Sequence, residues 1–120
     1  MILHAHVYYP LEQKHLALTL HEEVAQKFGG QLIKLSVLND GPLGPHPLPT
    51  FELHFDSGLR DQILEFLKVN RRGLTVLIHE DTNDDHRDHR DQIEWLGEPV
   101  ELDFGFFDRI LLNPDLRINK

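Results

Sequence analysis

Apolar and polar residues alternate from Leu3 to Tyr9, with Leu3, Ala5, Val7 and Tyr9 on one side and His4, His6 and Tyr8 on the other. A period of two is that of a strand, and Pro10 ends it. From Glu12 to Phe28 the spacing becomes helical. Ala17, Leu20, Val24 and Phe28 form a stripe supported by Leu16, and Gly29-Gly30 is the stop. Gln31 to Leu38 reads as a second strand with Ile33, Leu35 and Val37 sharing a face. The stretch Asn39 to Pro49 holds four prolines and reads as a stiff loop.

Thr50 to Asp56 predicts a third strand, with Phe51, Leu53 and Phe55 opposite Glu52, His54 and Asp56. Ser57 stands where a helix cap is expected. Leu59, Ile63, Phe66 and Leu67 line the second helix, which Gly73 ends. Leu74 to His79 predicts a fourth strand. The order β-α-β-β-α-β is the split βαβ pattern of ferredoxin-like α+β folds, an antiparallel sheet with two helices on one face. Residues 1–120 read as one domain with 80–120 as a C-terminal appendage. Within it Thr82 to Asp85 reads as a helix start, Ile93, Trp95 and Leu96 as a short helix stopped by Gly97, and Val100, Leu102 and Phe104 as a fifth strand or arm.

Composition narrows the function classes. The chain is 40% apolar and 27% charged, the mix of a soluble globular domain. A net charge of -8 argues against binding nucleic acid or anionic lipid. No apolar run approaches the ~18 residues of a membrane helix. The start Met-Ile-Leu-His-Ala-His lacks the form of a signal peptide. Cysteine is absent, which removes disulfides and thiolate chemistry and fits a cytoplasmic location.

Nine histidines are the unusual feature. In the expected topology the first strand lies between the third and fourth, antiparallel to both. The start of the first strand, with His4 and His6, then meets the ends carrying His54 and His79, all on the face away from the helices. Two histidines at i and i+2 stand ~6.6 Å apart along a strand, close enough to lean onto one ion. The competing reading is a solvated sheet face that tolerates histidine. His46 lies between Pro45 and Pro47. That rigid setting suits a site residue and equally an ordinary turn. His15 and His21 fall on the polar side of the first helix. His86 and His89 lie in a run of alternating acids and bases that reads as a salt-bridged surface. Phosphate-loop, Gly-x-Ser-x-Gly and His-Glu-x-x-His motifs are absent from the sequence.

Taken together, His4-Ala5-His6-Val7-Tyr8, Gly44-Pro45-His46-Pro47, Asn70-Arg71, Val76-Leu77-Ile78-His79, Asp88-His89 and Trp95-Leu96-Gly97 resemble the DOPA 4,5-dioxygenase family from about His4 to Asp103. The resemblance implies a ferredoxin-like fold and a non-haem Fe(II) enzyme that opens a catechol ring with O₂. The family's histidine motifs fall on His4, His6, His46, His79 and His89, and not on His54 or His86.

With the resemblance as guide, His6, His46 and His79 are the expected metal ligands, with Glu52 or another histidine as alternatives for the third place. His4 is expected to act as acid/base, Tyr8 to contact the ring and His89 to cap the site. Zn²⁺ is an alternative occupant. A homodimer is expected, because Tyr8 and Leu77 would lie exposed on the open sheet face and the apolar tail Phe106 to Leu112 would dock on a partner. The rival readings are a non-catalytic binder of a metal or a phenolic ligand, an interaction module dimerising through its sheet, and a metal-assisted hydrolase.

Overall fold

The computed structural model describes residues 1–41, 48–81 and 93–100. Five strands form one sheet: β1 (Ile2–Tyr8), β2 (Lys34–Leu35), β3 (Thr50–Asp56), β4 (Thr75–Glu80) and β5 (Glu94–Leu96). Two helices, α1 (Lys14–Phe28) and α2 (Arg60–Asn70), complete the expected βαββαβ order. The sheet order is β2-β3-β1-β4-β5, and every neighbouring pair is antiparallel. The fold is ferredoxin-like α+β, with β5 added beside β4. Among the described residues no helix is long and apolar enough to cross a membrane.

The predicted stripes build the core. Ala17, Leu20, Val24 and Phe28 of α1 and Ile63, Leu64 and Leu67 of α2 are buried. They join Leu3, Ala5, Val7, Phe51, Leu53, Phe55, Val76 and Ile78 in one apolar cluster. Each strand therefore presents alternate residues to the helices, as the period of two requires. Helix α2 ends through Arg72 and Gly73, whose φ values of 53° and 81° are left-handed. Glycine takes that conformation without steric cost.

Several local expectations need correction. The second strand is only Lys34–Leu35, and Ile33 and Val37 are exposed at 58% and 80%. They flank a short edge strand beyond the reach of the helices. The cap of the turn leading into α2 is Asp56, whose carboxylate accepts from the Gly58 N–H at 2.8 Å, and not Ser57. Glu94–Leu96 is a strand pairing with β4, not a helix. Its three residues are too few to show a helical period, and the hydrogen-bonding edge of β4 decides their state. The expected helix start at Thr82 to Asp85 and the strand beyond Val100 lie outside the described residues.

Candidate metal centre

The strand register assembles the second face of the sheet in rows. Lys34, His54, His4 and His79 stand side by side across β2, β3, β1 and β4. The next row runs Glu52, His6, Leu77 and Trp95 across β3, β1, β4 and β5. Tyr8 follows between Thr50 and Thr75. The face is not open. His4, His6 and Tyr8 are each 1% exposed, and Glu52, His79 and Leu77 are buried as well. Leu48, Ile93, Trp95 and Val100 pack against Tyr8 and Leu77 from within the same chain. This corrects the picture of a solvated face and removes exposed Tyr8 and Leu77 as grounds for a dimer.

His4, His6 and His79 each bring a ring nitrogen into one group whose members lie within 4.8 Å of one another. The Nε2 atoms of His6 and His79 are 2.8 Å apart. Both rings are held from behind. His6 Nδ1 is 3.0 Å from Glu52 Oε2, and His79 Nδ1 is 3.0 Å from the Glu80 carbonyl oxygen. The Glu80 carbonyl can only accept, so His79 Nδ1 carries the proton and its Nε2 presents a lone pair towards His6, while the Glu52 carboxylate beside His6 Nδ1 favours the same tautomer there. That distance suits an N–H···N hydrogen bond between the two rings, and equally two donors to one cation. Two donors at right angles on one ion with ~2.1 Å bonds stand ~3.0 Å apart. Three buried imidazoles, two of them with the outer nitrogen anchored, therefore fit a first-row divalent metal.

The flanks of this group differ in chemistry. Towards β2 it is polar. His54 stacks on His4 with ring centroids 3.6 Å apart. Glu52 Oε1 lies 3.4 Å from His54 Nε2 and 3.6 Å from Lys34 Nζ. His4 Nε2 lies 3.2 Å from Asp81 Oδ2. Burial pushes the Glu52 carboxyl up, but the hydrogen bond and charge of His54, with Lys34 and His4, outweigh it and hold the group below the usual carboxylate range. Towards β5 the face is apolar, and the Tyr8 and Trp95 rings lie 6.0 Å apart. Burial first, then the charge of Glu52, raises the Tyr8 hydroxyl far above its ordinary range, so it stays protonated.

The model of the Dopa 4,5-dioxygenase family matches residues 3–106. The chain belongs to this family. It is 30% identical over 73 residues to "DOPA 4,5-dioxygenase" of Amanita muscaria, covering 61% of this chain and 32% of that protein. It is 29% identical over 107 residues to an uncharacterised 21.2 kDa protein of Botryotinia fuckeliana, covering 82% of this chain and 57% of that one. The chain thus spans about a third of the first and just over half of the second of these curated relatives. A crystal structure of a "putative dioxygenase" from Nostoc punctiforme superposes with a TM-score of 0.84 at 30% identity, covering 91% of this chain and 92% of that one. Family and fold together make this a dioxygenase-like protein.

Of the expected site residues, the structure brings His4, His6 and His79 together and sets Tyr8 beside them. His46 and His89 lie outside the described residues. His4, expected as acid/base, stands among the potential ligand atoms. Glu52, the alternative ligand, stands behind His6 instead. Three further residues stand at the site or behind it. The register sets His54 in the row with His4 and His79, although the family's motifs do not fall on it. Asp81 meets His4, and a carboxylate two residues beyond His79 at a strand end is a readable cue for it. His21, expected on the polar side of the first helix, is half-buried, hydrogen-bonds the Ser36 carbonyl at 2.8 Å and packs edge-on against Phe51.

Proposed function

We propose that this family member is an extradiol-type ring-opening dioxygenase for a catechol, with non-haem Fe(II) held by His4, His6 and His79. The observation that carries this reading is the convergence of ring nitrogens of His4, His6 and His79 within 4.8 Å, with the His6 and His79 Nε2 atoms 2.8 Å apart. Bound there, Fe(II) supplies a redox-active Lewis acid at which three protein donors leave positions for a bidentate catechol and for O₂.

The residues around it divide the remaining work. Glu52 and the Glu80 carbonyl keep the His6 and His79 rings in the donor orientation. Tyr8, protonated and buried, is a hydrogen-bond donor for a substrate oxygen, and with Trp95 it offers aromatic surface to the ring. Leu48, Ile93 and Val100 exclude water from that flank. Asp81 orients the His4 ring.

Anaerobic Fe(II) loading followed by a panel of catechols tests the proposal. One O₂ consumed per catechol, with no added reductant and a ring-opened product, is the expected result. Stoichiometric iron binding without O₂ uptake on any catechol would instead establish a non-catalytic binder.

A further inference from the structure

Glu52 is the one carboxylate among the described residues that meets His6 from behind. Its two oxygens have separate partners. Oε2 faces His6 Nδ1 at 3.0 Å, while Oε1 faces His54 Nε2 at 3.4 Å and Lys34 Nζ at 3.6 Å. Neither oxygen belongs to the group of atoms that converge within 4.8 Å.

The backbone of Glu52 is equally committed. Its N–H donates to Ser36 Oγ at 2.8 Å, and its carbonyl accepts from the Ser36 N–H at 2.9 Å. The Ser36 carbonyl is turned to His21. A serine hydroxyl thus takes the place of a ladder carbonyl, and Ser36, next after the edge strand, holds both backbone groups of Glu52. At 5% exposure the carboxylate has little room to swing towards the histidines.

From this geometry we infer that Glu52 is a positioning residue, not a ligand: it holds the proton of His6 on Nδ1 and so aims the Nε2 lone pair at the metal position, with His54 and Lys34 bracing its other oxygen. The inference rests on the metal reading of the histidine cluster. A histidine whose outer nitrogen is bound to a carboxylate is oriented, tautomerically fixed and more basic, and loss of such a partner typically costs 10–100-fold in metal affinity.

The test uses the full chain, metal-free and then titrated with Co(II), in wild type, Glu52→Gln, Glu52→Ala and His6→Ala. Long-range ¹H–¹⁵N correlation reads which nitrogen of His6 carries the proton, without any metal. The proton is expected on Nδ1 in wild type and in Glu52→Gln, whose amide oxygen still accepts, and on Nε2 in Glu52→Ala. Co(II) affinity is expected to fall 10–100-fold in Glu52→Ala and by less in Glu52→Gln, with the ligand-field spectrum of the bound Co(II) unchanged in shape. Far-UV circular dichroism checks that each variant is folded, and Glu52→Gln keeps the volume if Glu52→Ala does not fold. An unchanged His6 proton position in Glu52→Ala would overturn the inference. So would a loss in both Glu52 variants as large as in His6→Ala, since Glu52 would then be a ligand. If wild type binds no Co(II) while the His6 proton still moves in Glu52→Ala, the positioning role stands and the metal reading fails.

Discussion

On β1, Leu3, Ala5 and Val7 point at the helices while His4, His6 and Tyr8 point the other way, and none of the six is more than 7% exposed. Burial is the same on both faces, but its consequences differ. On the helix face, apolar side chains fill the space against α1 and α2, and every contact favours the fold. On the other face, imidazoles and a carboxylate are held out of water with acceptors behind them and nitrogens gathered in front. Buried polar groups need such partners, and a cluster of this kind serves a ligand more than the fold. The two faces should therefore respond differently to the same kind of truncation.

The largest contrast is expected in function. His79→Ala should abolish metal binding and O₂ uptake, while His15→Ala, an exposed position on α1, should leave both unchanged. Elemental analysis and oxygen electrode traces on the same samples decide it, and a His79→Ala protein with full metal content would refute the cluster. The largest stability loss belongs to the helix face. Phe55→Ala empties a fully buried site and should cost about 3–5 kcal/mol in urea unfolding. In the metal-free protein, by contrast, His79→Leu should change stability by only about 1 kcal/mol in either direction, because it exchanges a buried polar ring and its hydrogen bonds for an apolar side chain that fills the space. A drop as large as that of Phe55→Ala would show that the histidine face is a structural core after all.

Two smaller effects sharpen the comparison at its edges. His21→Ala removes the bond that holds the Ser36 carbonyl and should cost about 0.5–1.5 kcal/mol, with a slight loss of metal affinity through Glu52. The smallest effect lies at the rim of the helix face. Tyr9 donates to Asp40 Oδ1 at 2.7 Å and Lys14 donates to Oδ2 at 2.6 Å, and the bonds from Lys14 and then Tyr9 hold the Asp40 carboxyl below its usual range. A carboxyl depressed in the folded state contributes stability above its unfolded pKa and loses it as pH falls through the folded value. Asp40→Asn should therefore lower the urea midpoint slightly at neutral pH, and the two curves should converge in acid below about pH 4. Curves that stay parallel would mean that the pair contributes nothing.

Much of the fold was legible because its periods were strong. Four elements, β1, α1, β3 and α2, carry uninterrupted stripes, and the residues assigned to their core faces are buried or packed against the core. The weak places were those where few residues speak. β2 and β5 hold two and three residues, and their state is set by the neighbouring strand they pair with. Part of the site was legible too: the i, i+2 spacing of His4 and His6 and the parity of His79 led to the cluster. The family's motifs point away from His54, which strand register alone places in the row with His4 and His79.

The sequence by itself determined which residues alternate, and with that the two faces of the sheet, the helix stripes and the topology that makes β1 central. Only the tertiary structure decided that the second face is buried, because Leu48, Ile93, Trp95 and Val100 come from a loop and from short segments whose patterns do not announce where they pack. Only it decided what each histidine nitrogen faces. A strand period assigns a side chain to a face, but the choice between ligand, positioning group and bystander depends on distances of a few ångströms across strands. Those distances are fixed by register and by contacts such as Glu52 with His6 and Asp81 with His4, which join residues 46 and 77 positions apart in the chain.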